Sequence, residues 1–262
     1  MKDGRLVARG PNSTTRPAFD TMIVVNGLGS TVETLYEDFD KQVGMPVVRS
    51  DPYDIPASET KSIATYAAHL LSQVEQYRVK NTSGIHLVGL SLGALVVASA
   101  ARKMSKQQGL RSVTLVGSSD QPQPDRWLPK MPTPVLGMRI VDDLTNFGWL
   151  FGHRAKTYIF LEQRRAAAEG LGQYASDIAH LTVPTHFVMA AEDEIVPLTA
   201  AQKTLQTVRK KRDEIGNQAV LQTTVCEGLG HLAVAVGHLN ITETVAEFAL
   251  QHARMPVPKT GN

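Results

Sequence analysis

Cysteine is nearly absent: the 262 residues include one, Cys226. A lone thiol excludes an internal disulfide and fits a reducing compartment. Its side chain reads either as a nucleophile or as a small buried residue, and single cysteines favour the second. Net charge is also missing, because 27 Lys plus Arg against 25 Asp plus Glu leave +2. That is too little to argue for nucleic acid or an anionic membrane as partner. No apolar run approaches the roughly 20 residues of a membrane span, and Met1-Lys2-Asp3-Gly4-Arg5 leads into no signal-peptide core. A soluble, cytoplasmic protein is therefore expected. No set of His, Cys and carboxylates has convincing metal-ligand spacing, so no metal is inferred.

What remains is an ordinary globular composition, 42% apolar and 20% charged. The length suits one large domain, or one domain carrying an inserted segment. The organising stretch is Ile85-His86-Leu87-Val88-Gly89-Leu90-Ser91-Leu92-Gly93-Ala94-Leu95-Val96-Val97-Ala98. It reads as a buried strand over Ile85 to Leu90, a glycine-bracketed turn, and a helix from Leu92 to Met104. G-x-S-x-G alone is a weak signal, but this context is the one a nucleophile elbow needs. Gly89 and Gly93 let the backbone reverse sharply, so Ser91 is pushed out at the carboxyl end of a sheet. The backbone N–H of Leu92 then points where negative charge would develop during attack on a carbonyl.

The rest of the chain alternates strands with helices at short intervals, which predicts βαβ units and a mostly parallel sheet. Arg5 to Arg9 reads as a short edge strand, and Met22 to Val25 as the first core strand. The latter ends in Asn26-Gly27-Leu28-Gly29-Ser30, before a helix over Val32 to Val43. That turn can be an oxyanion donor at Leu28, a phosphate cradle or a plain turn. Phosphate suits it poorly, since it has neither G-x-x-x-x-G-K-[ST] nor the G-x-G-x-x-G spacing with its acidic partner. Strands follow at Pro46 to Val48, Ser112 to Gly117, Val183 to Ala190 and Ala219 to Val225, with helices over Thr60 to Tyr77, Thr199 to Arg212 and Ile241 to His252.

Between Gln121 and Ser176 the rhythm breaks. Five prolines (Pro122, Pro124, Pro129, Pro132, Pro134) precede stretches that look helical, and the segment holds both tryptophans, Trp127 and Trp149. This reads as an inserted, mainly helical cap over residues 121–176, on a core of residues 1–120 and 177–262. Its aromatic residues either line an apolar cleft or pack the cap on the core. Arg209-Lys210-Lys211-Arg212 has the look of a nucleic-acid patch, yet cations at a helix C-terminus also complement the helix dipole. His69 lies beside a helical apolar stripe and reads as a packing or surface residue.

Ser91, Asp193 and His231 each fall at the carboxyl end of a separate strand, and in a parallel sheet those ends share one edge. In this the chain resembles the α/β-hydrolase superfamily, in its serine esterase and lipase-like, capped single-domain form, over nearly its whole length. Asn26-Gly27-Leu28-Gly29 matches the oxyanion turn, Gly89-Leu90-Ser91-Leu92-Gly93 the elbow, Asp193-Glu194-Ile195-Val196-Pro197 the acid loop, and Gly230-His231 the histidine before the last helix. The order nucleophile, acid, histidine is the one associated with this fold. The chain departs from the family at Asn26, where a histidine is usual, and in the loop Asp51 to Pro56, which lacks Arg-Gly-x-Gly-x-Ser.

The resemblance implies a central, mostly parallel sheet flanked by helices, with Ser91 as nucleophile, His231 as base and Asp193 as acid. It also implies an oxyanion hole made by the backbone N–H groups of Leu28 and Leu92. Glu192 and Glu194 flank the acid, and Asp120 occupies a place some relatives use instead; the D-x-x-V-P spacing favours Asp193. The remaining histidines, His86, His153, His180, His186, His238 and His252, lack a glycine-marked loop. The implied activity is hydrolysis of a small carboxylic ester, with an apolar group under the cap and no cofactor. Thioester, lactone, amide or carbon–carbon hydrolysis and perhydrolysis would use the same residues. A non-catalytic small-molecule receptor, or a scaffolding protein, on the same fold are the contrasting classes.

Overall fold

Short aliphatic runs closed by turn residues form one sheet in the computed structural model, which describes residues 20–27, 43–50, 55, 59–81, 84–104, 109–120, 166, 170–231 and 239–253. The strands are β1 (Thr21–Val25), β2 (Val47–Ser50), β3 (Ile85–Leu90), β4 (Leu110–Val116), β5 (Thr185–Ala190) and β6 (Leu221–Cys226). They lie in the order β2-β1-β3-β4-β5-β6, and every pairing is parallel. Parallel neighbours need long crossovers. Helices supply them: α1 (Ile63–Asn81) before β3, α2 (Leu92–Lys103) between β3 and β4, and α3 (Leu198–Glu214) between β5 and β6. α4 (Leu239–His252) follows β6, and a further helix includes residues 170–179.

β1, β3 and β5 are buried at every residue, which is why each reads as a nearly unbroken apolar run. On one face, Ile23, Leu87, Leu115 and Phe187 pack with α1, α2, the helix at 170–179 and α3. On the other, Met22, Val88, Val116 and Val188 pack with Ile241, Val245 and Ala249 of α4. α2 is buried from Leu92 to Ala101. Its small Ala, Val and Gly side chains let it lie close on β1 and β3. β6 is the edge of the described sheet and is only partly buried.

The expected elements that fall on described residues are present with shifted ends. Ser62 starts α1 by accepting the Thr65 N–H on its hydroxyl at 3.1 Å, a cap that moves the helix start past Thr60. β4 begins earlier than Ser112 because Ile85 and Leu110 pair across a register shift. The helix at 170–179 runs past residue 176, and Tyr174, Ala175, Ile178 and Ala179 join the core. The Arg5 to Arg9 strand, most of the Val32 to Val43 helix and residues 121–165, with Trp127 and Trp149, lie outside the described residues.

The run Arg209 to Arg212 does not form one surface patch, because Arg212 is only 4% exposed. Its guanidinium donates to the Ala219 carbonyl at 2.7 Å and reaches the Ile178 carbonyl and the Thr185 hydroxyl at 3.4 Å each. It ties the end of α3 to the segment entering β5. Lys210 stays exposed, 4.0 Å from Glu214.

A polar layer crosses the amino half of the sheet beneath α4. His86 Nδ1 and the Ser112 hydroxyl are hydrogen-bonded at 2.8 Å, and His86 Nε2 lies 3.5 Å from Asp20, which Arg111 also approaches at 3.6 Å. His186 is fully buried, with Nε2 2.9 Å from the Thr224 hydroxyl and its ring 4.7 Å from that of Phe248. Burial pushes the His186 pKa from 6.5 down to about 4. Below pH 6.5 the unfolded chain takes up a proton here that the fold refuses until about pH 4. Stability therefore falls as pH drops through that window. In denaturant titrations between pH 7 and 4, His186→Leu is expected to lose less stability than the wild type, by up to about 3 kcal/mol. Equal slopes would remove His186 as the source.

Candidate active site

Ser91 sits in the turn between β3 and α2 with φ 50° and ψ −117°, and among the described residues it is the one non-glycine with positive φ. Such a conformation costs about 1–3 kcal/mol and persists only where the surroundings over-determine it. Here they do. The Ser91 N–H donates to the Val116 carbonyl at 2.8 Å, and the Ser91 carbonyl accepts the Ala94 N–H at 3.0 Å.

The neighbouring glycines are explained by closeness rather than by unusual dihedrals. A Cβ on Gly89 would stand 2.5 Å from Ala94 Cα, and one on Gly93 only 2.3 Å from the Val25 carbonyl oxygen. A Cβ on Gly27 would come within 3.0 Å of Ser91 Cβ. The ends of β1 and β3 thus touch at Ser91. From β1 the chain goes on to β2 on one side, whereas from β3 it goes on to β4 on the other. This is the switch point of the sheet, where open α/β folds form a crevice at their carboxyl edge.

Two further loops reach the same edge. After β5, Asp193 folds back so that Oδ1 accepts the N–H groups of Ile195 at 2.9 Å and Val196 at 2.6 Å. After β6, Gly228 turns the chain with φ +67° and brings His231 alongside. His231 Nδ1 lies 2.8 Å from Asp193 Oδ2, and His231 Nε2 lies 3.0 Å from Ser91 Oγ. An ionised carboxylate only accepts, so Nδ1 carries the imidazole proton. Nε2 is then the lone-pair side, and the Ser91 hydroxyl donates to it. Asp193 and His231 are 5% and 7% exposed, so the chain of hydrogen bonds is shielded from competing water.

Three of the residues singled out in the sequence therefore meet. Asp120 does not join them: it accepts from the Thr204 hydroxyl, and its own N–H donates to that hydroxyl at 3.1 Å. The nearby Tyr174 phenol is hydrogen-bonded to Ser118, and burial keeps it well above its ordinary pKa. Leu92 opens α2, where a helix N-terminus leaves N–H groups without intrahelical partners. Leu28, His153 and His238 lie outside the described residues. His180 is held by the Ser176 carbonyl, and Cys226 is buried at the end of β6. Among the described residues no group of three or more His, Cys, Asp or Glu stands together as a metal site. No described helix is long and apolar enough to cross a membrane.

The sequence pattern did not reveal that Glu194 touches the histidine loop, where its carboxylate accepts the His231 N–H at 3.2 Å. Glu194 carried no signal beyond standing next to Asp193.

The chain belongs to the alpha/beta hydrolase family, whose sequence model matches residues 23–248. Its fold is similar to that of a lipase-esterase related protein from Clostridium acetobutylicum, at 14% identity and a TM-score of 0.60, over 95% of this chain and 98% of that one. An alpha/beta hydrolase enzyme from the sediment metagenome of the Mar Chica lagoon, Morocco, gives a TM-score of 0.62 at 14% identity, over 96% and 97% of the two chains. The enol-lactonase of Burkholderia xenovorans gives 0.61 at 14% identity, over 94% and 96%. No curated protein matches the chain in sequence.

The packing at the elbow sets a stability test. The Gly93→Ala methyl would meet backbone atoms that cannot swing aside, so a loss of about 3 kcal/mol is expected. Gly172→Ala, an exposed helical site with nothing within 4 Å of the new methyl, should gain ~0.5–1 kcal/mol. Thermal unfolding of the two variants checks this, and a Gly93→Ala protein as stable as the wild type would contradict the packing.

Proposed function

We propose that the protein is a serine hydrolase that cleaves carboxylic esters through an acyl-enzyme on Ser91. The observation that carries this reading is the 3.0 Å contact from Ser91 Oγ to a His231 whose other nitrogen is held by Asp193 at 2.8 Å. A serine hydroxyl is a weak nucleophile until a base removes its proton during attack. His231 Nε2 is within reach to do so, and the buried Asp193 carboxylate stabilises the imidazolium that results.

Attack on the ester carbonyl places negative charge on the carbonyl oxygen. The Leu92 N–H at the start of α2 is one donor for it, and the backbone N–H of Leu28, the residue the family resemblance assigns, is the second. His231 then gives its proton to the departing alkoxide, so the alcohol leaves and the acyl group stays on Ser91. Water, deprotonated by the same imidazole, attacks the acyl carbonyl and frees the acid, and the proton returns to Ser91. An ester asks for no more than this, since its alkoxide leaving group needs a single proton. In this reading the cap is formed within residues 121–165, since the helix at 170–179 packs with the core, and an apolar acyl or alcohol group lies beneath the cap.

A fluorophosphonate probe should label one site per chain, at Ser91. Ser91→Ala should abolish labelling and lower kcat on p-nitrophenyl esters by a factor of about 10⁴ or more with the fold retained. Thioesters and lactones assayed beside the esters identify the preferred bond. A folded wild type that is neither labelled nor active would favour a small-molecule receptor. Unchanged turnover in Ser91→Ala would remove Ser91 from the mechanism.

A further inference from the structure

We propose that Glu194 is a positioning residue for the base: it fixes the main chain of His231 while Asp193 fixes the ring. The proposal rests on the serine-hydrolase reading. It starts from the way the loops after β5 and β6 are joined. The Ala191 N–H donates to the Cys226 carbonyl and the Glu192 N–H to the Leu229 carbonyl, both at 2.9 Å. These bonds end before the histidine. The chain turns at Gly228, and three contacts hold His231 itself. Two are on the ring, Nδ1 to Asp193 and Nε2 to Ser91; the third is on the main chain, the His231 N–H donating to Glu194 Oε2 at 3.2 Å.

The main-chain contact limits where the ring can stand. Once the Ser91 oxygen turns to attack substrate and gives up its contact with Nε2, an imidazole held through Nδ1 alone can pivot about that bond. Holding the backbone N–H of the same residue adds a fixed point at the base of the side chain and narrows that pivot. Consecutive acidic residues divide the task. Asp193 is buried and spends its other oxygen on Ile195 and Val196, whereas Glu194 is exposed and reaches back with a longer side chain.

Gly230 is the independent sign of this arrangement. Its φ is not positive, so no left-handed turn demands glycine there. A Cβ would instead stand 2.9 Å from Glu194 Oε2, and its next contact, the Glu192 carbonyl oxygen, is an ordinary 3.4 Å away. Gly230 keeps clear the space that the Glu194 carboxylate occupies.

The test is kinetics and NMR on four variants. Glu194→Ala should lower kcat about tenfold with KM within about twofold, since the loss is one of alignment and not of substrate binding. The number of sites titrated by the fluorophosphonate stays the same while the labelling rate falls. Glu194→Gln keeps an acceptor oxygen and should remain within about threefold of wild type. Gly230→Ala should resemble Glu194→Ala, and the double variant should be no worse than either single one, because both remove the same contact. The downfield Nδ1–H proton of His231, read without turnover, should broaden in Glu194→Ala and stay sharp in Glu194→Gln.

Wild-type kcat in Glu194→Ala, a Gln variant as impaired as the Ala variant, or losses that multiply in the double variant would each overturn the proposal. So would a loss that merely tracks the number of titrated sites. An inactive, unlabelled wild type would instead refute the hydrolase reading, and the resonance would still decide whether Glu194 holds the ring.

Discussion

Backbone crowding around Ser91 is the constraint on which the rest of the molecule depends. Three pieces of main chain, the end of β1, the end of β3 and the first turn of α2, approach within distances that admit no side chain at Gly89 or Gly93. Ser91 is held in a strained conformation because the strand and helix around it cannot relax independently. The strain is affordable because α2 is buried along nearly its whole length and anchors the turn from the helical side. The Ser91 hydroxyl is thus placed by the same packing that makes the core.

The polar chain beside it obeys different physics. Asp193 and His231 lose hydration on burial and Ser91 loses part of it, and each loss is offset by a directed hydrogen bond. The carboxylate accepts from the acid-loop N–H groups with one oxygen and from the imidazole with the other, which leaves no choice of tautomer. Main-chain bonds from Ala191 and Glu192 set how far the two loops can separate. Precision at the ring therefore comes from loop-to-loop contacts that begin in the ladder of β5 and β6.

Histidines at the two ends of one sheet contrast with each other. His186 lies sealed under α4 with its ring hydrogen-bonded to the Thr224 hydroxyl, and burial keeps it neutral. His231 has a carboxylate on one nitrogen and a hydroxyl on the other. The same side chain is a neutral core residue in the first setting and the middle of a polar chain in the second, because the carboxyl edge of the sheet brings two loops and a helix N-terminus together there while His186 is covered by α4.

By itself the sequence determined the order of the described strands and of the helices between them, the strand-turn-helix around Ser91, and the glycine-marked loop of His231. Each is a local pattern: an apolar run, a tight turn, a helical stripe. It left Asp193 and Asp120 in competition, and it read Arg212 as one of four like cations. Only the tertiary structure separated these, because whether a carboxylate meets His231 or Thr204, and whether a guanidinium is buried on carbonyls, depends on how segments distant in sequence are stacked. The pairing of Glu194 with His231 belongs to the same class: a contact across 37 positions leaves no periodicity to read, and only the register of β5 on β6 brings its two halves together.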